Sequence, residues 1–403
     1  MEKDYFHKSE VEPQELFCIL LDHFSQAEGT KFQRPGTQHF LEIASDEAGN
    51  IKFIRLSNDF PSSELEEIEK KIQATLLAEH GIKVCQMICF CHTEISGYFR
   101  YKDLFQILPL PGYAATSFPP ITDHPFILEI SYKASLDPFV DSARKIEKVV
   151  IYTRLLNLLV NRAISSGRWY SRSKWVFNTK DPSTVTEWAS LGYFDPTLKD
   201  SMENFSLVDG LSPIEKVPYL EYYYLGYPPE QSSKPLSLPD NLEQSIDKAF
   251  ALDKSTESKF FMACSWYAQY HHIAEASNSS AFVALVTALE CLAQEKEVCT
   301  VCNQPLLKND DEICQSCGQP RYRVTKHFQD FLKKYFPLID QFPKEKKTLY
   351  QVRSSLAHGM NLLQADLEPW KLLFDAKKQQ QNLLQRNLYY IVGIAIFHWL
   401  HSI

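Results

Sequence analysis

At 403 residues the chain is too long for one ordinary core, so two or three domains are expected. Its hydrophobic share of 44% and charged share of 23% are those of a soluble globular protein. A formal net charge of −8 excludes a protein that binds nucleic acid over its whole surface, so any RNA contact must be local.

The first residues are polar and mixed in charge, with no secretory signal. The apolar stretch from Tyr389 to Leu400 is too short to span a bilayer and reads as a buried terminal helix. Ten cysteines are present; four have metal spacing, and Cys18, Cys85, Cys89, Cys91, Cys264 and Cys291 are scattered. That is no disulfide framework and fits a reducing cytosol.

In chain order, residues 40–43 and 51–56 read as paired strands around the turn-rich segment 47–50. A helix is predicted from about Ser63. Ser63 and Glu66 suit a capping box, Leu65, Ile68, Ile72 and Leu76 form the apolar stripe, and Gly81 ends it. Residues 82–91 and 126–132 read as further strands, and 141–164 as a long amphipathic helix with Ile146, Val149, Val150, Leu156 and Val160 inward. From 179 to 240 the pattern is irregular, and the Pro- and Ser-rich stretch 228–239 reads as a linker. Helices are predicted near 240–253, 256–275, 278–296, 321–336, 344–358 and 370–402. The expected architecture is therefore an α+β domain over 1–228 and a helical domain over 240–403, interrupted at 299–320.

That interruption carries Cys299-Thr-Val-Cys302 and Cys314-Gln-Ser-Cys317. Four thiolates at this spacing suit tetrahedral Zn²⁺. Asn303 and Gly318 follow the pairs, where the backbone can curl around the sulfurs. Four Cys leave no open position for a catalytic water, so the expected zinc is structural. Arg321, Arg323 and Lys326 follow the knuckle and keep a nucleic-acid contact in view, as do Lys346 and Lys347 further on.

Near the C-terminus stands Leu349-Tyr-Gln-Val-Arg-Ser-Ser-Leu-Ala-His-Gly359. Arg-x4-His spacing alone is weak, since chance supplies about 0.4 matches in a chain of this composition. Arg34 and His39 match it too, but on a Pro-Gly loop with no helix to fix them. Arg353 and His358 have a helical context: Leu349, Val352 and Leu356 form a stripe, and Gly359 supplies a stop. Positions five apart on an ideal helix diverge by about 140°. Convergence requires an unwound last turn or a site shared across a two-fold interface.

These residues, preceded by the helix ending Ala288-Leu-Glu-Cys-Leu292, resemble the Apea-like branch of the HEPN superfamily over roughly 240–403. The resemblance implies a helical bundle, a homodimer and a metal-independent ribonuclease, often in phage defence. It implies Arg353 as phosphate and transition-state stabiliser and His358 as general acid or base. Ser354 fills the polar position after Arg, and Glu290 matches the acidic residue of the upstream helix, expected to orient Arg353. A larger domain ahead of such a module resembles ApeA-type defence proteins, which implies a phage-derived trigger. The alternative is a non-catalytic module binding RNA or protein. No membrane association is expected.

His271 and His272, adjacent on a predicted helix, point apart and read as packing or surface residues. Alternation in an apolar strand explains Cys89 and Cys91 better than a second metal. The Tyr-rich run 221–227 reads as packing at a domain boundary more than as base-stacking.

Overall fold

The computed structural model describes residues 2–3, 12–24, 27–34, 36–45, 51–77, 80–110, 124–166, 173–178, 181–190, 198–225, 235–274, 276–293, 301–302, 314, 316–318, 324–368 and 375–403. The fold is mixed α+β. Strands β1 (Glu2–Lys3), β2 (Ala27–Glu28), β3 (Lys31–Gln33), β4 (Phe40–Ser45) and β5 (Ile51–Leu56) make an antiparallel sheet of order β1-β5-β4-β3-β2. Helices α1 (Pro13–Phe24) and α2 (Ser62–Ile72) cover it, burying Leu16, Ile19 and Leu20 with Phe32, Leu41 and Ile54.

A second antiparallel sheet has the order β10-β6-β9-β8-β7, from β6 (Ile82–Cys91), β7 (Phe99–Tyr101), β8 (Phe105–Pro109), β9 (His124–Lys133) and β10 (Ile164–Ser166). At its centre, where β6 pairs with β9, α3 (Pro138–Val160) covers one face, and the other holds buried Glu129 hydrogen-bonded to Gln86, Gln106 and the Ser206 N–H. β11 (Ser173–Asn178) and β12 (Asp181–Ser190) pair as a hairpin, and β13 (Lys216–Val217) lies parallel to β14 (Leu238–Pro239).

The remaining described chain is helical: α4 (Leu242–Phe250), α5 (Lys254–Ala274), α6 (Asn278–Glu290), α7 (Val324–Tyr335), α8 (Pro343–Ala357), α9 (Gln364–Leu367) and α10 (Ala376–Ser402). α10 is the axis of this part. It touches α3 and α4 through α9, and nearly every residue from Leu388 to Leu400 is buried. No helix among the described residues is long and apolar enough to cross a membrane.

Packing does not break where a linker is expected. One core runs from Cys85 on β6 to Leu400 on α10, joined by α3 against α5 and α10. Leu236 and Leu238, inside the stretch read as a linker, are buried in it; residues 226–234 lie outside the described chain. The separate core is that of the first sheet, and Val140 of α3 is its contribution from beyond residue 76. Arg144 on α3 joins the two. Its Nη2 donates to Glu15 Oε2 at 2.7 Å and its Nη1 to the carbonyls of Lys133 and Ala134. The pair is nearly buried, and a well-hydrogen-bonded pair of that kind fixes how surfaces dock more than it adds stability.

Other expectations are corrected locally. α2 starts at Ser62 with Pro61 as N-cap and no side-chain cap, so the Ser63–Glu66 box does not form. Glu64, beside it, turns inward instead. α3 ends at Val160, short of 164, because Asn161 takes the left-handed conformation (φ 49°) and Ile164 enters β10. β11 and β12 lie partly in the segment read as irregular. The tyrosine run packs as expected, with Tyr222 Oη donating to the Val160 carbonyl at 2.5 Å and Tyr223 to that of Leu159.

Gly393 lets α10 approach α5 and the end of α3. A Cβ there would lie 2.7 Å from Tyr267 Oη, which itself donates to Asn161 Oδ1 at 2.6 Å. One turn of α5 further on, His271 is half-buried with its Nε2 3.0 Å from Tyr389 Oη. Burial, with His92 and His272 nearby, pushes His271 down to about 3, and burial pushes His401 down to about 4. Both stay neutral in the fold, while the unfolded chain protonates them near 6.5. Below that pH the unfolded state therefore binds more protons and stability falls. His271 alone contributes about 1.4 kcal/mol per pH unit in that window. Urea denaturation across pH 7 to 4 is expected to show this slope, and His271→Gln to flatten it.

Candidate functional site

The first candidate lies where the end of α6 meets α8. α8 packs through buried Leu349, with Val352 and Leu356 against the same core. That leaves Arg353 facing the end of α6, where its Nη2 donates to Glu290 Oε2 at 2.8 Å. Both side chains are about a fifth to a quarter exposed. The Arg353 guanidinium also lies 5.8 Å from the ring of Tyr350, one turn back. The pair is only half satisfied. Arg353 Nε and Glu290 Oε1 are buried and have no hydrogen-bond partner among the described residues. Such atoms call for a water or a ligand.

His358 is the C-cap of α8. Met360 N donates to the Ser355 carbonyl and Gly359 N to that of Leu356, both at 3.0 Å, with Gly359 at φ 67°. This is a Schellman ending, and it places an exposed His358 at the helix end. α8 stays helical through Ala357, so the last turn does not unwind before His358. Arg353 points to α6, His358 stands in the open, and no hydrogen bond joins them. Ser354 is half-buried, and its carbonyl accepts from His358 N at 3.1 Å.

The second candidate is a sulfur cluster. Cys302, Cys314 and Cys317 place their Sγ atoms within 4.8 Å of one another and could hold a metal ion. Cys302 and Cys314 are 3.7 Å apart at sulfur. That is far beyond a disulfide. It matches the edge of about 3.8 Å in a tetrahedron of Zn–S bonds near 2.3 Å. Gly318, at φ 66°, turns the chain after Cys317 and donates to the Cys314 carbonyl at 2.8 Å. Cys299, Arg321 and Arg323 lie outside the described residues. Lys326 falls on α7, and Lys346 and Lys347 fall in the first turns of α8. Cys85, Cys89 and Cys91 are buried in the sheet core, and burial pushes Cys85 up to about 12, so they behave as packing groups.

A third cluster gathers around the loop pair. Arg34 and His39, the loop pair, both reach Glu64: Arg34 Nε lies 3.0 Å from Oε1 and His39 Nε2 lies 2.9 Å from Oε2. The His39 contact is off the hydrogen-bond axis. His23, at the end of α1, completes the group, 3.1 Å from Arg34 Nη2 and 3.3 Å from Glu64. The cluster ties the β3–β4 loop to α1 and α2. Glu64 is 25 residues beyond His39, so no local pattern reveals it.

Sequence reading also missed Asp366 of α9. It accepts from Asn278 N at 2.8 Å, Ser279 N at 2.7 Å and Ser277 Oγ at 3.0 Å, closing the N-terminus of α6. Burial works to raise its carboxyl, yet these donors hold it below the ordinary range.

Comparison with known families, curated proteins and solved structures gives no match, so the resemblance rests on the quoted residues.

The Glu290–Arg353 bond predicts coupling between α6 and α8. Glu290→Ala is expected to cost about 1.5–3 kcal/mol by chemical denaturation. Adding Arg353→Ala should cost less than the sum, and full additivity would show that the bond carries no energy.

Proposed function

We propose that this protein is a metal-independent RNA endonuclease of HEPN type, with Arg353 and His358 as its chemistry and a zinc ribbon inserted in its helical domain. One observation carries the reading. A guanidinium is held by a carboxylate from the neighbouring helix, with buried Arg353 Nε and Glu290 Oε1 left over, on the same helix that ends in an exposed histidine.

RNA supplies its own nucleophile. The 2′-hydroxyl attacks the adjacent phosphorus, the bond to the 5′-oxygen breaks, and a 2′,3′-cyclic phosphate forms. An imidazole, which titrates near neutrality, takes the hydroxyl proton or gives one to the leaving oxygen. That is the role for His358. Arg353 steadies the charge on the phosphorane, and Glu290 sets its direction. Because α8 is regular to Ala357, Arg353 of one chain and His358 of another serve one cleft more readily than the pair within one chain. The reading therefore includes a homodimer. A role in anti-phage defence rests on the resemblance alone, sensing of a trigger by the N-terminal half on its size and lack of a catalytic motif, and a cytosolic location on the scattered cysteines.

The divergence of the two side chains also favours a second reading, in which the Glu290–Arg353 pair only braces the bundle and the protein binds RNA or a partner without cutting it. Incubation with mixed RNA in EDTA, with any activator supplied by infected-cell extract, separates the two. Cleavage is expected to survive EDTA and to fall roughly 10²–10⁴-fold in Arg353→Ala and in His358→Ala. Intact RNA in the wild type, or full activity in both variants, would overturn the nuclease.

The sulfur cluster supports zinc as a structural ion held by Cys302, Cys314, Cys317 and Cys299. Bound there, it would fasten the insertion between α6 and α7. Metal analysis is expected to give about one zinc per chain, lost in Cys314→Ser. Retention of zinc by that variant would sink the assignment.

A further inference from the structure

Tyr350 stands one turn before Arg353 on α8. The two positions differ by about 60° on an ideal helix and share a face, whereas Ser354 diverges from Arg353 by about 100° and His358 by about 140°. The Tyr350 ring is fixed from two sides. Phe328 of α7 packs against it with ring centroids 5.6 Å apart, and the Arg353 guanidinium lies 5.8 Å from its centroid. The residue is half-buried. Its hydroxyl has no hydrogen-bond partner among the described residues and is open to solvent. Burial pushes the phenol up, Arg353 pulls it down and Glu290 adds to the rise, and the net direction is up. The hydroxyl therefore keeps its hydrogen at neutral pH, available to an acceptor.

Arg353 does not meet an anion as a bare cation. Glu290 Oε2 holds its Nη2 and offsets its charge. A phosphate placed there gains from donors that bring no counter-charge with them, and a neutral phenol is one. With hydrogen bonds of about 2.7–2.9 Å at each end, two oxygens of one phosphate bridge donors roughly 5–7 Å apart. The ring and the guanidinium stand within that reach.

We infer that Tyr350 is a further catalytic residue, whose hydroxyl donates a hydrogen bond to a non-bridging oxygen of the phosphate that Arg353 holds. The inference rests on the ribonuclease reading. No proton changes hands at Tyr350. The phenol stays a phenol, and the proton transfers at the 2′-hydroxyl and the leaving oxygen stay with the imidazole. The non-bridging oxygens carry more charge in the phosphorane than in the substrate. The Tyr350 bond is therefore stronger in the transition state, and its loss falls on kcat more than on KM.

The test uses the full-length protein, a fluorescein-labelled single-stranded oligoribonucleotide of mixed sequence, EDTA and the same infected-cell extract. Initial rates are read for the wild type, Tyr350→Phe, Tyr350→Leu and Tyr335→Phe. Phenylalanine at 350 keeps the ring against Phe328 and Arg353 and removes the hydroxyl alone. Tyr335, half-buried on α7 against Phe331, controls for the loss of a tyrosine hydroxyl elsewhere. Tyr350→Phe is expected to lower kcat roughly 10- to 10²-fold, with KM changed by less than about threefold and the urea midpoint unchanged. Tyr335→Phe is expected to cut at the wild-type rate. Full activity in Tyr350→Phe, an equal loss in Tyr335→Phe, or a fall in urea midpoint as large as that of Tyr350→Leu overturns the assignment. The two readings fail separately. If the wild type cuts and Tyr350→Phe cuts equally well, Tyr350 alone is wrongly assigned. If the wild type leaves the oligomer intact, or Arg353→Ala/His358→Ala still cuts it, the ribonuclease reading fails and takes Tyr350 with it.

Discussion

Burial of α10 is the constraint on which the arrangement depends. Between Leu388 and Leu400 nearly every side chain is enclosed, on all sides of the helix. A helix apolar all round must sit at the centre of something. Here that centre lies between α3, which carries the second sheet, and α6, α7 and α8, which carry the candidate chemistry. The Glu290–Arg353 contact exists because α6 and α8 are both laid against this helix. The sulfur cluster falls in the connection between α6 and α7.

Strongly periodic elements were legible in the sequence. β6 is a ten-residue strand that is mostly apolar and buried over its second half, and α8 carries Leu349, Val352 and Leu356 at helical spacing with Gly359 as its stop. Hydrophobic repeat and turn chemistry act locally, so such elements are visible without the fold. What was illegible depends on partners distant in sequence. Ser63 and Glu66 had the form of a capping box, but the neighbouring Glu64 is drawn inward by Arg34, His23 and His39. Leu236 and Leu238 sit in a Pro- and Ser-rich stretch that reads as a linker. Partners distant in sequence hold them: Leu236 N bonds to the Glu94 carbonyl, and Leu238 lies on β14, which pairs with β13 some twenty residues earlier.

The same distinction runs through the site. Cys302, Cys314 and Cys317 announce themselves by spacing, and their sulfurs do come together. Arg353 and His358 also announce themselves, yet their meeting is not a property of one helix. A regular α8 turns one toward α6 and the other to solvent. The loop pair Arg34 and His39, which had no such context, is the pair that converges, because a carboxylate from α2 gathers both. Sequence spacing identifies which groups are present; the third group that orients them comes from elsewhere in the chain.

The absent side chain at Gly393 has a consequence for how this architecture can vary. Tyr267 Oη occupies the space that a methyl would need and is held there by Asn161 Oδ1, and Asn161 is the residue that turns α3 toward the second sheet. Three separate stretches of chain are thus cut to fit one another at a single point. A lineage that enlarges position 393 must trim the tyrosine in the same step, and one that trims the tyrosine strands an amide in the interior. Drift at these positions should therefore be correlated, leaving a covariation signature that ties the sheet to the helices even where the surrounding sequence has changed beyond recognition.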